Sequence, residues 1–481
     1  MAGPYPAFLT PEVDPVHTPT TPPAPVKRPN RPKAARPLAG RLARPLLTAG
    51  LVAALAVGLT FGATLAMSGQ PSPRPGSGPV PAAAFEQLSS ASLAAGIGQL
   101  QQHLRAQPRD ATGWAMLGLS YVEQARLTAD PAYYPKAGAA LAEALRVRPR
   151  DNDAAHAGLA ALAAARHDFA TALNEANRSL VINPFGARAL AVRIDALVEL
   201  GRYRAAMAAA VHADRIAPGI PVFTRLAYVD ELYGRTAEAH RVLELALTSA
   251  DDPGDLAYVH AQLGELAWSH GNAAAAGREF AAALRADPGY VAAVEGRARA
   301  RAATGDVAGA LRDLQAVVAR LPLPGYLTEY GELLTSVGRT AEAHRQYAVA
   351  RTWVTLAKAS GVATDLETTL LSADHGSKPA ALRAARAEWA RRHSVHVADA
   401  LAWALHVNGR DAEALTYARR ANGLGYRNAM FLYHQGMIEK SLGRAASARR
   451  DLTAALRLNP HFSALHAPRA RAALASLGGA S

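Results

Sequence analysis

Small apolar residues recur along this chain at a regular interval, with polar stretches between them. An alanine follows a short polar turn ten times, at spacings of 33 to 38 residues. A small side chain repeated in this way marks a place where one helix packs closely against its neighbour, and about 34 residues is the length of a helix-turn-helix repeat. The pattern therefore predicts a stack of helix pairs. The alanines are Ala137, Ala172, Ala206, Ala239, Ala276, Ala310, Ala343, Ala381, Ala414 and Ala448.

Glycines and prolines keep the same interval. A glycine about five residues before most of these alanines can take the left-handed conformation that ends one helix and starts the turn. Prolines close most units, because proline cannot continue a helix. The turn glycines are Gly201, Gly234, Gly271, Gly305, Gly338, Gly376, Gly409 and Gly443. A second small residue lies seven positions after the alanine, on nearly the same helical stripe, as at Ala144, Ala213, Ala246, Ala283, Ala350, Ala421 and Ala455.

These residues resemble the tetratricopeptide repeat (TPR) family. The first unit carries the pattern in Trp114, Leu117, Gly118, Tyr121, Ala137, Leu141, Ala144 and Pro149. The resemblance covers roughly residues 85–465 and implies an all-α, right-handed α-solenoid of about ten TPR-like helix pairs. Two units depart from the pattern. The first has extra residues around positions 130–135, and the eighth has Glu388 where a small residue is expected, so we expect the array to bend or split there.

The first 84 residues follow a different pattern. Residues 1–45 are Pro-rich and basic, which predicts a disordered tail. Residues 46–67 contain no ionisable group and would span about 33 Å as a helix, so we predict one transmembrane helix before the solenoid. The basic flank precedes this span. The positive-inside rule therefore predicts a single-pass cell-membrane protein with a cytoplasmic N-terminus and extracytoplasmic repeats. Signal-peptide cleavage and secretion is the alternative.

The predicted domain order follows from these segments. A Pro/Gly linker occupies residues 68–84, the TPR solenoid residues 85–467, and a C-terminal tail residues 468–481. The chain has 481 residues, and its alanine, arginine, glycine and proline usage resembles that of actinobacterial proteins.

Composition and motifs narrow the possible chemistry. The chain has no cysteine, which excludes disulfides, thiolate metal sites and cysteine nucleophiles. Phosphate-binding loops, HExxH zinc motifs and nucleophile elbows are absent from the sequence, and the repeats occupy nearly all of the predicted extracytoplasmic region. We therefore predict a non-enzymatic protein without a cofactor.

Charge gives no sign of a nucleic-acid partner. The basic tail supplies +5 of the net charge of +13, and the other +8 is spread over the rest of the chain, without a cluster of basic residues interleaved with aromatic ones. The densest basic group is expected to be a solvated helix face, with contact to anionic lipid as the alternative. This group is Arg383, Arg386, Arg391 and Arg392.

Histidine pairs could suggest a metal site. His393 with His396, and His461 with His466, have neither the acidic neighbours nor the cysteine ligands of a complete shell. We predict no metal site, and keep His461 and His466 as candidate contacts at the end of the array.

The most promising surface is the concave one. The resemblance implies that the first helix of each pair lines a groove, and its inward positions combine carboxylates with aromatic side chains. Such a lining favours a protein or peptide partner with basic or amide groups. The alternative is that these residues are ordinary solvated positions or interhelical packing. The candidates are Asp195, Tyr228, Glu231, Glu265, Trp268, Glu295, Arg299, Glu332, Trp403, His406, Tyr433, His461 and His466.

The function that these features predict is a membrane-tethered scaffold that binds a protein or peptide through its concave TPR groove. The alternative is an accessory subunit of a membrane transporter or secretion complex, in which small residues of the span would contribute to assembly. Metal handling through the histidines is a third alternative.

Overall fold

A computed structural model describes residues 90–478, and this part of the chain contains helices but no strand. The 22 helices are, in chain order, α1 (Ser90–Ala106), α2 (Ala111–Thr128), α3 (Tyr133–Val147), α4 (Asp153–Ala165), α5 (Phe169–Ile182), α6 (Ala187–Glu199), α7 (Tyr203–Ile216), α8 (Ile220–Leu232), α9 (Thr236–Thr248), α10 (Pro253–Ser269), α11 (Ala273–Ala286), α12 (Val291–Ala303), α13 (Val307–Arg320), α14 (Pro324–Ser336), α15 (Thr340–Ala359), α16 (Asp365–His375), α17 (Lys378–Arg391), α18 (Val395–Val407), α19 (Asp411–Asn422), α20 (Ala429–Ser441), α21 (Ala445–Leu458) and α22 (His466–Gly478).

Ten helix pairs, from α2–α3 to α20–α21, stack between α1 and α22 as a TPR-like solenoid. The repeated alanines confirm the predicted contacts, since all ten are buried in the second helix of their pairs. Gly118 shows why a small residue is needed. A Cβ atom there would lie 2.5 Å from Leu141 Cγ, so the two helices can approach this closely only without one.

Seven of the eight predicted turn glycines adopt positive φ, between 72° and 95°, and these predictions are confirmed. The prediction for Gly376 is wrong, because its φ is −157°. Here an extended segment joins α16 to α17, and the Ser377 side chain caps α17 by accepting from Ala380 N. In pair two the left-handed position belongs to His167, at φ 60°.

The array continues through the eighth pair, where the sequence suggested a bend or split. Glu388 is buried there, but both Arg391 and Arg392 donate to its carboxylate. Arg392 also binds Glu199 from pair three and is itself buried. The expectation of a solvated face is therefore wrong for Arg392.

The last helix extends the array beyond its predicted end. Residues 468–478, assigned to a tail from the sequence, belong to α22. Ala467, Ala470 and Ala473 are buried at helical spacing, so α22 covers the open side of the tenth pair.

Successive turns of the superhelix are in contact. In each of pairs two to five, the turn between the two helices packs against a link five repeats later in the chain. The turn of pair two, for example, packs against the link that follows pair seven. The hydrogen bonds that join these turns and links include Ala363 N to Arg166 O (3.0 Å), Val395 N to Tyr203 Oη (2.6 Å) and Asn459 Nδ2 to Trp268 O (2.8 Å). In pair four, Gly234 abuts the backbone of Gly425. The inner face is therefore enclosed along this stretch.

Among residues 90–478, no helix combines the length and apolar character needed to cross a bilayer. The predicted tail (1–45), transmembrane helix (46–67) and linker (68–84) lie outside the described residues.

Candidate partner-binding site

The candidate residues fall into two groups, with Asp195 and His461 outside both. The first group belongs to α8, α10, α12 and α14, the first helices of pairs four to seven, and comprises Tyr228, Glu231, Glu265, Trp268, Glu295, Arg299 and Glu332. The second lies near the C-terminal end of the array and comprises Trp403, His406, Tyr433 and His466. The repeat interval therefore brings together residues up to about a hundred positions apart.

Glutamates from four successive first helices form a row that we call the carboxylate ladder, made of Glu231, Glu265, Glu295, Glu329 and Glu332. Arg299 lies among them. Its guanidinium donates to Glu295 Oε2 at 2.8 Å and binds Glu265, while Glu329 Oε1 is 3.9 Å from Arg299 Nε. One guanidinium is thus shared by three carboxylates.

Enclosure by protein makes ionisation of Glu231, Glu265, Glu295 and Glu329 unfavourable. Burial raises the pKa of Glu231 to about 7, although Ser269 Oγ opposes the shift by donating to Glu231 Oε1 at 2.9 Å. Burial also raises the pKa of Glu265 and of Glu329, and the charge of Arg299 works against it. An additional cation would therefore stabilise the ionised form of this row.

Water nevertheless reaches part of the ladder. The Glu265 and Glu329 side chains are 40% and 31% exposed. Trp268 is buried, with the Arg299 guanidinium 5.4 Å from the centre of its ring. This geometry combines an apolar wall with reachable carboxylates, a combination suited to the stem and head of a basic side chain.

Sequence reasoning missed Glu329, although a signal was available. It lies three residues before Glu332 on α14, so the two carboxylates share one face of that helix. Glu332 also contacts His375, whose Nε2 is 3.2 Å from Glu332 Oε1.

The C-terminal group is largely core. Trp403 Nε1 donates to Asp374 Oδ2 at 3.0 Å, and the Trp403 ring stacks on His434 with centroids 4.2 Å apart. His466 Nε2 lies 3.3 Å from Asp374 Oδ1. Burial opposes ionisation of Asp374, but hydrogen bonding to His466 and the charge of His466 hold the pKa of that carboxyl at about 2. Tyr433 is also buried. Trp403, Tyr433 and His466 are therefore enclosed by the protein.

The remaining candidates have separate surroundings. His406 pairs with Asp411, and Asp195 is buried and accepts from Arg225 Nε at 2.9 Å. His461 is exposed, whereas His466 is buried. No group of three metal-ligating side chains suited to an ion occurs within residues 90–478. The partner-binding role of all the candidate residues stays a prediction.

No protein family model matches the sequence, and no curated protein matches it as a relative. Several solved repeat structures are similar. Human IFIT1, solved as a dimer with PPP-AAAA, is 16% identical with a TM-score of 0.43, covering 71% of this chain and 79% of that one. Cut9–Hcn1 of the APC/C is 14% identical with a TM-score of 0.39, covering 82% and 84%.

A TPR protein of Thermus thermophilus is 23% identical with a TM-score of 0.32, covering 36% of this chain and 91% of that one. The assignment of this chain to a TPR-like solenoid rests on its own geometry: ten stacked helix pairs with buried alanines at the repeat interval.

Proposed function

We propose that this protein is a non-enzymatic scaffold, tethered to a membrane by residues 46–67, with its repeats extracytoplasmic. Its partner is a protein or peptide with an extended basic segment, which binds along the carboxylate ladder. The observation that carries the proposal is the excess of carboxylates around Arg299, two of which keep solvent access.

The spacing of the ladder favours a particular partner sequence. Neighbouring packed helices lie about 10 Å apart, and an extended chain advances about 3.3–3.6 Å per residue. Successive glutamates on neighbouring first helices therefore match a lysine or arginine at every third residue. Each ammonium or guanidinium would form a charge-assisted contact and relieve the cost of the enclosed negative charge.

Fluorescence anisotropy with the full chain in detergent tests this proposal. The probes are a fluorescein-labelled (Lys-Gly-Ser)4 peptide and its (Glu-Gly-Ser)4 counterpart. We expect binding of the lysine peptide only, and Glu265→Gln combined with Glu329→Gln should weaken it at least tenfold, about 1.4 kcal/mol.

The matched control is Glu238→Gln with Glu244→Gln, which removes two carboxylates that are exposed on α9. This pair should change affinity less than twofold. Equal losses in both double variants would show a general charge effect and contradict binding along the ladder.

A further inference from the structure

Three large apolar side chains are exposed where α5 ends and the link to α6 begins. Val181 is 84% exposed and Ile182 is 36% exposed at the end of α5, and Phe185 in the link that follows is 66% exposed. We call Val181, Ile182 and Phe185 the apolar ridge. Its exposure requires an explanation outside the packing of the solenoid, because the ridge covers no neighbouring helix.

The other repeats provide an internal comparison. Val181 lies two residues after Ser179, which fills the buried small position of its helix. In four other pairs an arginine stands at the position of Val181, namely Arg146, Arg215, Arg285 and Arg457. Phe185 directly follows the closing proline, where other units have Arg150, Gly219, Gly289 and His461. The repeat therefore tolerates polar residues or glycine at both positions. Pair six has Ala319 and Leu323 there, but Leu323 is buried, so pair two alone among the proline-closed units exposes large apolar side chains at both.

Hydrogen bonds to α4 hold the end of α5, and with it the apolar ridge, in position. Asn183 Nδ2 donates to Asp153 Oδ2 at 2.9 Å, and Ser179 Oγ donates to Asp153 O at 3.0 Å. Nearby arginines are offset by carboxylates, as Arg178 pairs with Glu175 at 2.8 Å. Attraction to a partner must therefore come mainly from apolar contact.

The size of the ridge decides between possible partners. Three such side chains offer roughly 300–400 Å² of surface, whereas a stable protein interface needs about 800 Å² on each side. A ridge this small is insufficient for a dimer, but it is enough for shallow insertion into a bilayer by a chain that is already tethered there.

The length of chain between the predicted span and α1 limits how far the repeats can lie from the membrane. The predicted span ends at position 67 and α1 begins at Ser90, so residues 68–89 separate them. At about 3.1–3.6 Å per residue, this connection extends to at most about 70–80 Å. Pair two can reach the same membrane that holds the anchor.

We infer that the apolar ridge is a second membrane contact, which inserts into the outer surface of the bilayer and holds pair two against it. This inference rests on the proposed tethering. The chain lacks cysteine, so a single introduced cysteine can be labelled uniquely.

The test uses full-length Val181→Cys labelled with the fluorophore NBD and reconstituted into phosphatidylcholine vesicles. The matched control is Arg285→Cys, an exposed site at the equivalent position of pair five. We expect a blue-shifted emission at position 181 and quenching by doxyl-labelled lipid at least threefold stronger than at position 285. Adding Phe185→Ser should reduce that quenching.

Equal quenching at both positions would overturn the inference. A blue shift that grows with protein density and is insensitive to doxyl lipid would indicate a second copy and would also overturn it. Flotation after an alkaline wash separates the two proposals. If the chain floats with the vesicles but the position 181 probe is not quenched, only the ridge inference fails, whereas loss of flotation removes the tether and the inference with it.

Discussion

Arg392 illustrates how an ion pair can join distant repeats. Its guanidinium, buried between α17 and α18, binds Glu388 from its own pair and Glu199 from pair three. Burial raises the pKa of the neighbouring Glu367, and His167 partly opposes this shift. The carboxylates of Glu199, Glu367 and Glu388 are all buried, so the charge of each depends on the others and on Arg392.

Removing this cation should destabilise the protein strongly. Arg392→Ala leaves Glu199 and Glu388 buried without their shared partner, and breaking a buried pair typically costs about 3–5 kcal/mol. Urea unfolding followed by circular dichroism should show the loss. Arg386→Ala, which breaks an exposed pair with Glu413 at 3.3 Å, should cost less than about 1 kcal/mol. Similar losses would mean that burial does not distinguish the two pairs.

Glu231 makes stability depend on pH. Burial raises its pKa from 4.5 to about 7 in the folded protein. Its contribution to stability is therefore fully present below pH 4.5 and is lost as the pH rises through 7. Glu231→Gln should keep the hydrogen bond with Ser269 and stabilise the protein at pH 8 by about 1–2 kcal/mol, with little change at pH 5. Thermal unfolding at both pH values checks this, and an equal effect at both would contradict it.

At the level of helices and turns, the sequence predicts well which helices pack together as pairs. Alanine spacing reports contacts within a pair and between adjacent pairs, and both are local along the chain. Gly376 does not adopt the predicted left-handed conformation, because the backbone that joins α16 to α17 is extended. The helix at residues 466–478 was missed since its apolar stripe consists of alanines, which are common throughout this chain.

Two turn glycines with the same conformation differ in their surroundings. Gly234 has φ 74°, and a Cβ atom there would lie 2.7 Å from Gly425 O; Gly443 has φ 73° with open space around it. Gly443→Ala should cost about 1 kcal/mol, from backbone strain alone. Gly234→Ala should cost roughly 2–4 kcal/mol, because the added methyl also separates the two turns of the superhelix. Melting temperatures check the difference, and equal costs would show that this contact adds no stability.

At the level of the whole molecule, the enclosure of the inner face could not be predicted from sequence. Contacts such as Asn459 to Trp268 join residues 191 positions apart. They depend on small rotations between pairs that accumulate over five repeats, and no single repeat carries a signal for them. The sequence places Glu265 on the first helix of its pair, but it does not show that distant turns such as those at Gly234 and Gly425 meet in space.

Enclosure also links stability to partner binding. Water reaches Glu265, but an extended peptide needs the contacts between superhelical turns to separate. If the open form is rare, apparent affinity is reduced by its fractional population, so weakening the closed form by about 1.4 kcal/mol should raise affinity about tenfold. Gly234→Ala should therefore tighten binding of the lysine peptide while lowering stability, and Gly443→Ala should leave binding unchanged. Anisotropy measurements on the two variants decide the matter, because equal affinities would mean that the peptide reaches the carboxylate ladder without opening the superhelix.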